Sequence, residues 1–237
     1  MSEDIKIQSS IKLDLLSFVS HELKTPLSTL KLNVDMLKQN TPEQNKRLIK
    51  IMEEEINWMI QFISDTLDLK TTENNIKINL TPYDWEKWFQ SIHKHIEQKT
   101  RFFNRTLVVH YSHLKATVYI DPLYIQQAIL QLVMNAIEFS PEKSKIEISW
   151  SLCSDNKLHI NIIDEGSGLS TEDEKQVFKA FYKGREKKPS LLKGSGLGLT
   201  IVEKIAKAHG GQVKAKNRTD SKGSVFTLTL NNNETSK

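Results

Sequence analysis

His21 and Glu22 adjoin in the segment Ser20-His21-Glu22-Leu23-Lys24-Thr25-Pro26-Leu27. Neutral imidazole carries a lone pair near pH 7, and a neighbouring carboxylate that keeps one ring nitrogen protonated leaves the other able to attack an electrophile. Thr25 follows one helical turn later, and Pro26 removes a backbone donor and bends the helix beside the histidine. Two glycine clusters lie further along. Asp164-Glu165-Gly166-Ser167-Gly168 follows the apolar run Leu158 to Ile163, which places a carboxylate where a strand ends and the backbone turns sharply. Gly194-Ser195-Gly196-Leu197-Gly198-Leu199 leads into a helical pattern, where backbone N–H groups and the helix dipole favour phosphate. Between His21 and the glycines, Asn135 sits in Gln131 to Phe139, an apolar helical stretch in which an amide needs a polar partner. Singly, these features also read as a surface histidine, a glycine turn and a helix-surface asparagine. A dinucleotide-binding loop is rejected for the second glycine cluster, because no strand directly precedes it and no βαβ unit surrounds it.

The elements that must carry these residues follow from periodicity. Leu16, Val19, Leu23, Leu27, Leu30, Val34 and Leu37 recur at steps of three and four, which predicts an amphipathic helix over residues 10–40. His21 lies on the far side of that helix from Val19 and Leu23, and Thr25 shares its solvent-facing side. Asn40-Thr41-Pro42 breaks the helix; Met52, Ile56, Met59, Ile63 and Thr66 mark a second one running to Lys70. Two such helices cannot bury their stripes alone, so a homodimer forming a four-helix bundle is expected. From Asn74 the pattern becomes strands interleaved with helices. Strands are expected at Ile76 to Leu80, Thr106 to Tyr111, Ala116 to Ile120, Lys145 to Leu152, Leu158 to Ile163, Gln212 to Ala215 and Val225 to Leu230. Helices are expected after Asp84 and over Pro122 to Phe139, Thr171 to Phe181 and Leu197 to His209. The fold class is therefore α+β: an antiparallel helical hairpin over residues 1–72, an α/β sandwich over 73–232, and a frayed tail at 233–237.

Composition narrows the functions. The net charge of +4, from 33 basic and 29 acidic residues, describes a mixed surface rather than a nucleic-acid face. Cys153 is the only cysteine, which excludes an internal disulfide and a cysteine-based zinc site. No apolar run approaches the roughly 20 residues of a membrane helix, and the start lacks the layout of a signal peptide, so a cytoplasmic chain is expected.

Ser20 to Leu27 resembles the phosphoacceptor box of the HisKA-type sensor histidine kinases. In order along the chain, Asn135, then Asp164 with Gly166 and Gly168, then Phe178 with Phe181, then Gly194 with Gly196 and Gly198 resemble the asparagine, first glycine, phenylalanine and second glycine boxes of their catalytic domain. The resemblance covers residues 10–232 and implies a Bergerat-type ATP-binding sandwich, with sensory input from an upstream membrane sensor or a separate partner. It implies that His21 is phosphorylated from ATP, with Glu22 serving that step and Thr25 positioning water for dephosphorylation of a partner, the receiver domain of a response regulator. It further implies that Asp164 accepts the adenine amino proton and that Asn135 holds Mg²⁺. Phe139 would lie against adenine, and Gly194, Gly196, Leu197 and Gly198 would close over the phosphates together with Phe181, Lys183 and Arg185. Two positions depart from the family pattern: Gln131 stands where a first asparagine is usual, and Glu138 replaces a phosphate-meeting lysine. Like charges about 4 Å apart repel by roughly 1 kcal/mol in water and about 4 kcal/mol at an effective dielectric near 20. Glu138 is therefore expected either to weaken ATP binding or to join Gln131 and Asn135 as an oxygen ligand of the metal. The competing readings are a degenerate kinase that binds or dephosphorylates a regulator, and an unrelated Bergerat-type ATPase, which leaves the His21 hairpin unexplained.

Overall fold

A computed structural model of the chain describes residues 23–24, 27–37, 45, 49, 52, 56, 59, 76–111, 117–184 and 195–233. His21, Glu22, Thr25, Arg185 and Gly194 lie outside these residues, as does most of the second expected helix. The chain divides into two compact units, Met1–Ser64 and Asp65–Lys237.

In the first unit, residues 27–37 are helical, and so are the described positions Leu23, Lys24, Asn45, Ile49, Met52, Ile56 and Met59. Within the expected stripe Leu23, Leu30 and Leu37 are half-buried, whereas Leu27 and Val34 are exposed at 55% and 41%. Leu32 and Met36 on the same helix, and Ile49 and Ile56 further on, are exposed as well.

Among its described residues the second unit contains strands β1 (Thr81–Asp84), β2 (Thr106–His110), β3 (Thr117–Ile120), β4 (Lys145–Leu152), β5 (Lys157–Ile163), β6 (Gln212–Asn217) and β7 (Ser224–Asn231). Its helices are α1 (Trp85–Phe102), α2 (Pro122–Phe139), α3 (Thr171–Gln176) and α4 (Gly198–Ala208). Five strands form one mixed sheet in the order β2-β4-β5-β7-β6, parallel only between β2 and β4; β1 and β3 pair separately. The alternation read in the sequence sets the layers. Ile146, Ile148 and Trp150 of β4, Leu158, Ile160 and Ile162 of β5, and Phe226, Leu228 and Leu230 of β7 are buried against α1, α2 and α4. The intervening Glu147, His159, Asn161 and Thr227 line the opposite face. One end of the core is aromatic: Trp150 packs on Phe89 with ring centroids 4.7 Å apart and meets Trp85 edge-on at 5.9 Å.

Two expected elements differ. The strand expected at Ile76 to Leu80 is irregular, and β1 begins only at Thr81. The ladder with β3 ends at Thr81 opposite Ile120, and the Asn79 N–H is taken by the Asp121 carboxylate at 2.9 Å, so the alternating residues have no strand to pair with. The helix expected over Thr171 to Phe181 stops at Gln176. Its start is fixed by a capping box in which Ser170 and Asp173 bond each other's backbone. Its end comes early because Phe181 takes a left-handed φ of 65° and donates its N–H to the Gly196 carbonyl at 2.9 Å.

Asp121 also caps α2, accepting from the N–H groups of Leu123 and Tyr124, and Pro122 sits at the first helical position. The Asp121 N–H in turn donates to Nε2 of buried His209 at 3.1 Å, while Nδ1 of His209 donates to the Ile205 carbonyl at 2.8 Å. This tautomer is neutral, and burial holds the His209 pKa below its ordinary value of 6.5, against smaller raising effects of the Ile205 carbonyl and Asp121. Above pH 6.5 the folded and unfolded chains are both unprotonated here. Below it the unfolded chain takes up a proton that the folded chain refuses, so stability falls until the depressed folded pKa is reached. In urea unfolding of the full chain, the midpoint is expected to decline from pH 6.5 downward, and His209→Gln is expected to flatten that limb. An equally steep decline in the variant would assign it to other groups.

Candidate nucleotide site

Asp164 directly follows β5 and is 1% exposed, which requires its carboxylate to be satisfied from within. Oδ1 accepts from the N–H groups of Gly166 at 2.7 Å and Ser224 at 3.2 Å, and Oδ2 accepts from the Ser224 hydroxyl. The Asp164 N–H donates to the Ser224 carbonyl at 3.0 Å. The first residue of β7 thus holds both carboxylate oxygens and the backbone N–H of Asp164, and with Gly166 leaves the carboxylate a fixed hydrogen-bond acceptor. Two glycines make this approach feasible. A Cβ on Gly166 would stand 2.8 Å from both Asp164 Oδ1 and the Phe139 carbonyl, so the end of α2 abuts the loop that carries Asp164. Gly223, at φ 130°, passes so near the Asp164 carbonyl that a Cβ there would lie 2.0 Å from its oxygen.

α2 turns Gln131, Asn135 and Glu138 to one side through steps of four and three residues, and all three are half-buried, as is Phe139 at its end. Gln131 points at the start of α4: its Oε1 is 2.5 Å from where a Gly198 Cβ would be. No side chain caps the first turn of α4, so that turn presents backbone N–H groups, and the Leu197 N–H is held by Ser195 Oγ at 3.1 Å. The Leu197 side chain is fully buried, which makes it the anchor of this loop. Gly196, at φ 75°, would place a Cβ 3.0 Å from the Phe181 backbone. Phe178 meets Phe226 edge-on at 6.4 Å, and its carbonyl accepts from Thr200 Oγ1 at 3.0 Å. The two phenylalanines therefore brace the glycine loop. Lys183 is exposed beyond them.

Within the second unit the structure thus joins Asp164, Gly166 and Phe139 in one cluster, and Gln131, Gly196, Leu197, Gly198 and Phe181 in another, with Asn135 and Glu138 on the same helix between. Ser224 and Gly223 escaped the sequence reading, which placed them in a hairpin. Their signal was a glycine immediately before a strand and a hydroxyl at its first position.

Matches to known proteins follow the same division. The family model of histidine kinase-, DNA gyrase B- and HSP90-like ATPases matches residues 120–234, and that of the His Kinase A (phospho-acceptor) domain matches residues 11–75. The sensor protein KdpD of Clostridium acetobutylicum is 30% identical over 228 residues, which are 93% of this chain and 25% of that protein; the chain thus spans about a quarter of its length. The solved structure of the Acinetobacter baumannii histidine kinase AdeS is 26% identical, with a TM-score of 0.66, over 90% of this chain and 98% of that one. A histidine kinase ThkA, solved in complex with the response regulator protein TrrA, shares the fold with a TM-score of 0.76 at 22% identity, over 97% of this chain and 64% of that one. A phosphoacceptor domain followed by an ATPase domain with its boxes in order places this chain in the HisKA-type sensor histidine kinases.

Proposed function

We propose that the chain is an ATP-dependent protein-histidine kinase, with a phosphotransfer and dimerisation unit at residues 1–72 and a catalytic unit at 73–232. The Asp164 clasp carries this reading: a buried, triply bonded carboxylate beside a glycine loop leading into an uncapped helix suits an adenine amino group and a chain of phosphates. In the reaction a ring nitrogen of His21 attacks the γ-phosphorus, a P–N bond forms, and the P–O bond to ADP breaks with its electron pair leaving on the ADP oxygen. Glu22 holds the proton on the other ring nitrogen. The phosphoramidate is reactive enough to pass its phosphoryl group to an aspartate of a response-regulator receiver domain, and Thr25 orients water for the reverse signal. ThkA, solved with its response regulator, supports this partner.

The oxygen atoms of Asn135 and Glu138, with Gln131 on the same face, fit a hard divalent cation, and we assign them to Mg²⁺. Bound there, Mg²⁺ would neutralise charge on the phosphates. Lys183 and Arg185, with Gly194 before α4, meet those phosphates, and Phe139 packs on the base. Glu138→Lys is expected to weaken the dependence of ADP affinity on Mg²⁺, measured by calorimetry across a Mg²⁺ series; superimposable curves for parent and variant would remove Glu138 from the metal site.

The exposed Leu27, Leu32, Val34, Met36, Ile49 and Ile56 of the first unit fit burial against a second copy in a four-helix bundle, and we infer a homodimer. Among the described residues no helix is long and apolar enough to cross a membrane. The need for ATP and a receiver domain places the reaction on the cytoplasmic side. Incubation with γ-³²P-labelled ATP tests the whole reading: acid-labile label on the chain, discharged by a receiver domain, is expected. No label, with receiver binding intact, would make the chain a regulator-binding module.

A further inference from the structure

The loop from Asp164 to Leu169 contains two glycines, and inside it only the Gly166 N–H to Asp164 Oδ1 bond and a 3.5 Å contact from Ser167 Oγ to the Gly168 carbonyl hold its shape. The rest of its support comes from outside. Glu165 accepts from the Lys145 N–H at 2.9 Å. At the far end, Asn217, the last residue of β6, forms a two-bond clamp with Leu169: its Oδ1 accepts from the Leu169 N–H at 2.6 Å and its Nδ2 donates to the Leu169 carbonyl at 2.8 Å. The amide thereby stands in for a strand neighbour. Gly168, at φ 85°, makes room for it, because a Cβ there would lie 2.5 Å from Asn217 Oδ1.

The next residue holds the near end. The Arg218 side chain is 13% exposed, and its Nη1 donates to the Asp164 carbonyl at 3.5 Å and lies 3.9 Å from Glu147 Oε1. Its Nε and Nη2 grip both oxygens of Asp220 at 3.1 and 2.8 Å, which fixes the guanidinium plane. The Arg218 N–H closes the β6–β7 turn on the Gly223 carbonyl at 3.0 Å. The hydrogen bond from Arg218 holds the Asp220 carboxyl down to about 2, so the fork stays charged at any physiological pH. Asn217 also pairs in register with Ser224, the residue that grips the Asp164 carboxylate.

We propose that Asn217 and Arg218 are positioning residues that pin the two ends of the Asp164–Leu169 loop and thereby set the selectivity of the site for an adenine over a 6-oxopurine nucleotide. Neither touches the nucleotide; both act through Asp164. The inference rests on the nucleotide reading of the site. A carboxylate at a fixed height accepts from the exocyclic amino group of adenine and repels the oxo group of hypoxanthine. Once its loop can drift, that contrast is lost even where phosphate binding survives.

Affinities of the full chain for ADP and IDP, measured by calorimetry alongside the thermal midpoint, test this. The parent is expected to prefer ADP. Asn217→Ala is expected to lower ADP affinity about 10-fold and IDP affinity much less, so that the preference shrinks. Arg218→Ala should act in the same direction, and Arg218→Lys, which keeps a donor for the Asp164 carbonyl, should restore part of it. An unchanged ADP-to-IDP ratio in Asn217→Ala and Arg218→Ala, even with both affinities lower, would overturn the positioning role and leave the nucleotide site standing. A parent that binds neither nucleotide would overturn the nucleotide reading itself, and one that binds both equally would overturn the selectivity assigned to Asp164 and with it this proposal. If Asn217→Ala fails to fold, the ratio in Arg218→Lys and Arg218→Ala decides.

Discussion

Asp164→Asn is expected to reduce affinity for adenine nucleotides by about 100-fold to 1,000-fold and to abolish labelling from ATP. The substitution preserves shape and changes only what the side chain can accept. In the folded chain the Asp164 carboxylate meets the N–H groups of Gly166 and Ser224 and the Ser224 hydroxyl. An asparagine must turn its amide NH₂ toward one of two groups of donors. If it faces Ser224 or Gly166, donor opposes donor inside a nearly sealed site; if it faces the nucleotide, it opposes the adenine amino group. Hydrogen bonds to charged groups contribute about 1.5–3 kcal/mol each, so losing one strong or two weaker ones amounts to about 3–4 kcal/mol, which at about 1.4 kcal/mol per tenfold gives the stated range. The Ser224 hydroxyl can rotate to accept from the new amide, which limits the damage to the fold. Calorimetry with ADP and a thermal scan without nucleotide separate the two effects: a small shift of the midpoint with a large loss of affinity is expected. An affinity within about 3-fold of the parent would remove Asp164 from base recognition.

The parts of the site that could be read from the sequence are those whose signal is local. α2 begins and ends where expected because Asp121, Pro122 and a continuous apolar periodicity write its limits into adjacent residues. The strand that leads into Asp164 shows the same economy, with alternation on β5 and glycines two and four residues after Asp164. The grip on Asp164 is different. Ser224 lies 60 positions away and Asn217 lies 48 positions from Leu169, so no window of the sequence contains both partners. Hydroxyl and amide residues at strand ends are also common, and only the folded sheet, which sets β7 beside β5, singles these two out. The early end of α3 has the same origin, since it depends on Phe181 meeting Gly196 across the chain rather than on any breaker near Gln176. The role of Leu197 is likewise tertiary: glycine on both sides makes it look like part of a flexible loop, whereas burial makes it the peg on which the loop hangs. Glu138 was legible as a departure and not as a function, because a side chain at that step of α2 shares its face with Asn135 whatever its charge.

His21→Gln is expected to bring labelling from ATP to background while leaving ADP affinity and thermal stability close to the parent values. Glutamine resembles the imidazole in reach and hydrogen bonding but has no nitrogen lone pair available for attack, since its amide nitrogen is conjugated to the carbonyl. The groups proposed to bind nucleotide belong to the Asp65–Lys237 unit and are untouched by the change. The two variants therefore fail in opposite halves of the reaction: Asp164→Asn keeps the acceptor and loses the donor, and His21→Gln keeps the donor and loses the acceptor. Mixing them turns this difference into a test of the dimer. If a catalytic unit serves the histidine of its partner, mixed dimers formed by subunit exchange regain label, all of it on the Asp164→Asn chain. If each unit serves its own histidine, mixed dimers stay unlabelled although both kinds of chain are present in them. Label that persists in His21→Gln alone would place the acceptor elsewhere and overturn the assignment of His21.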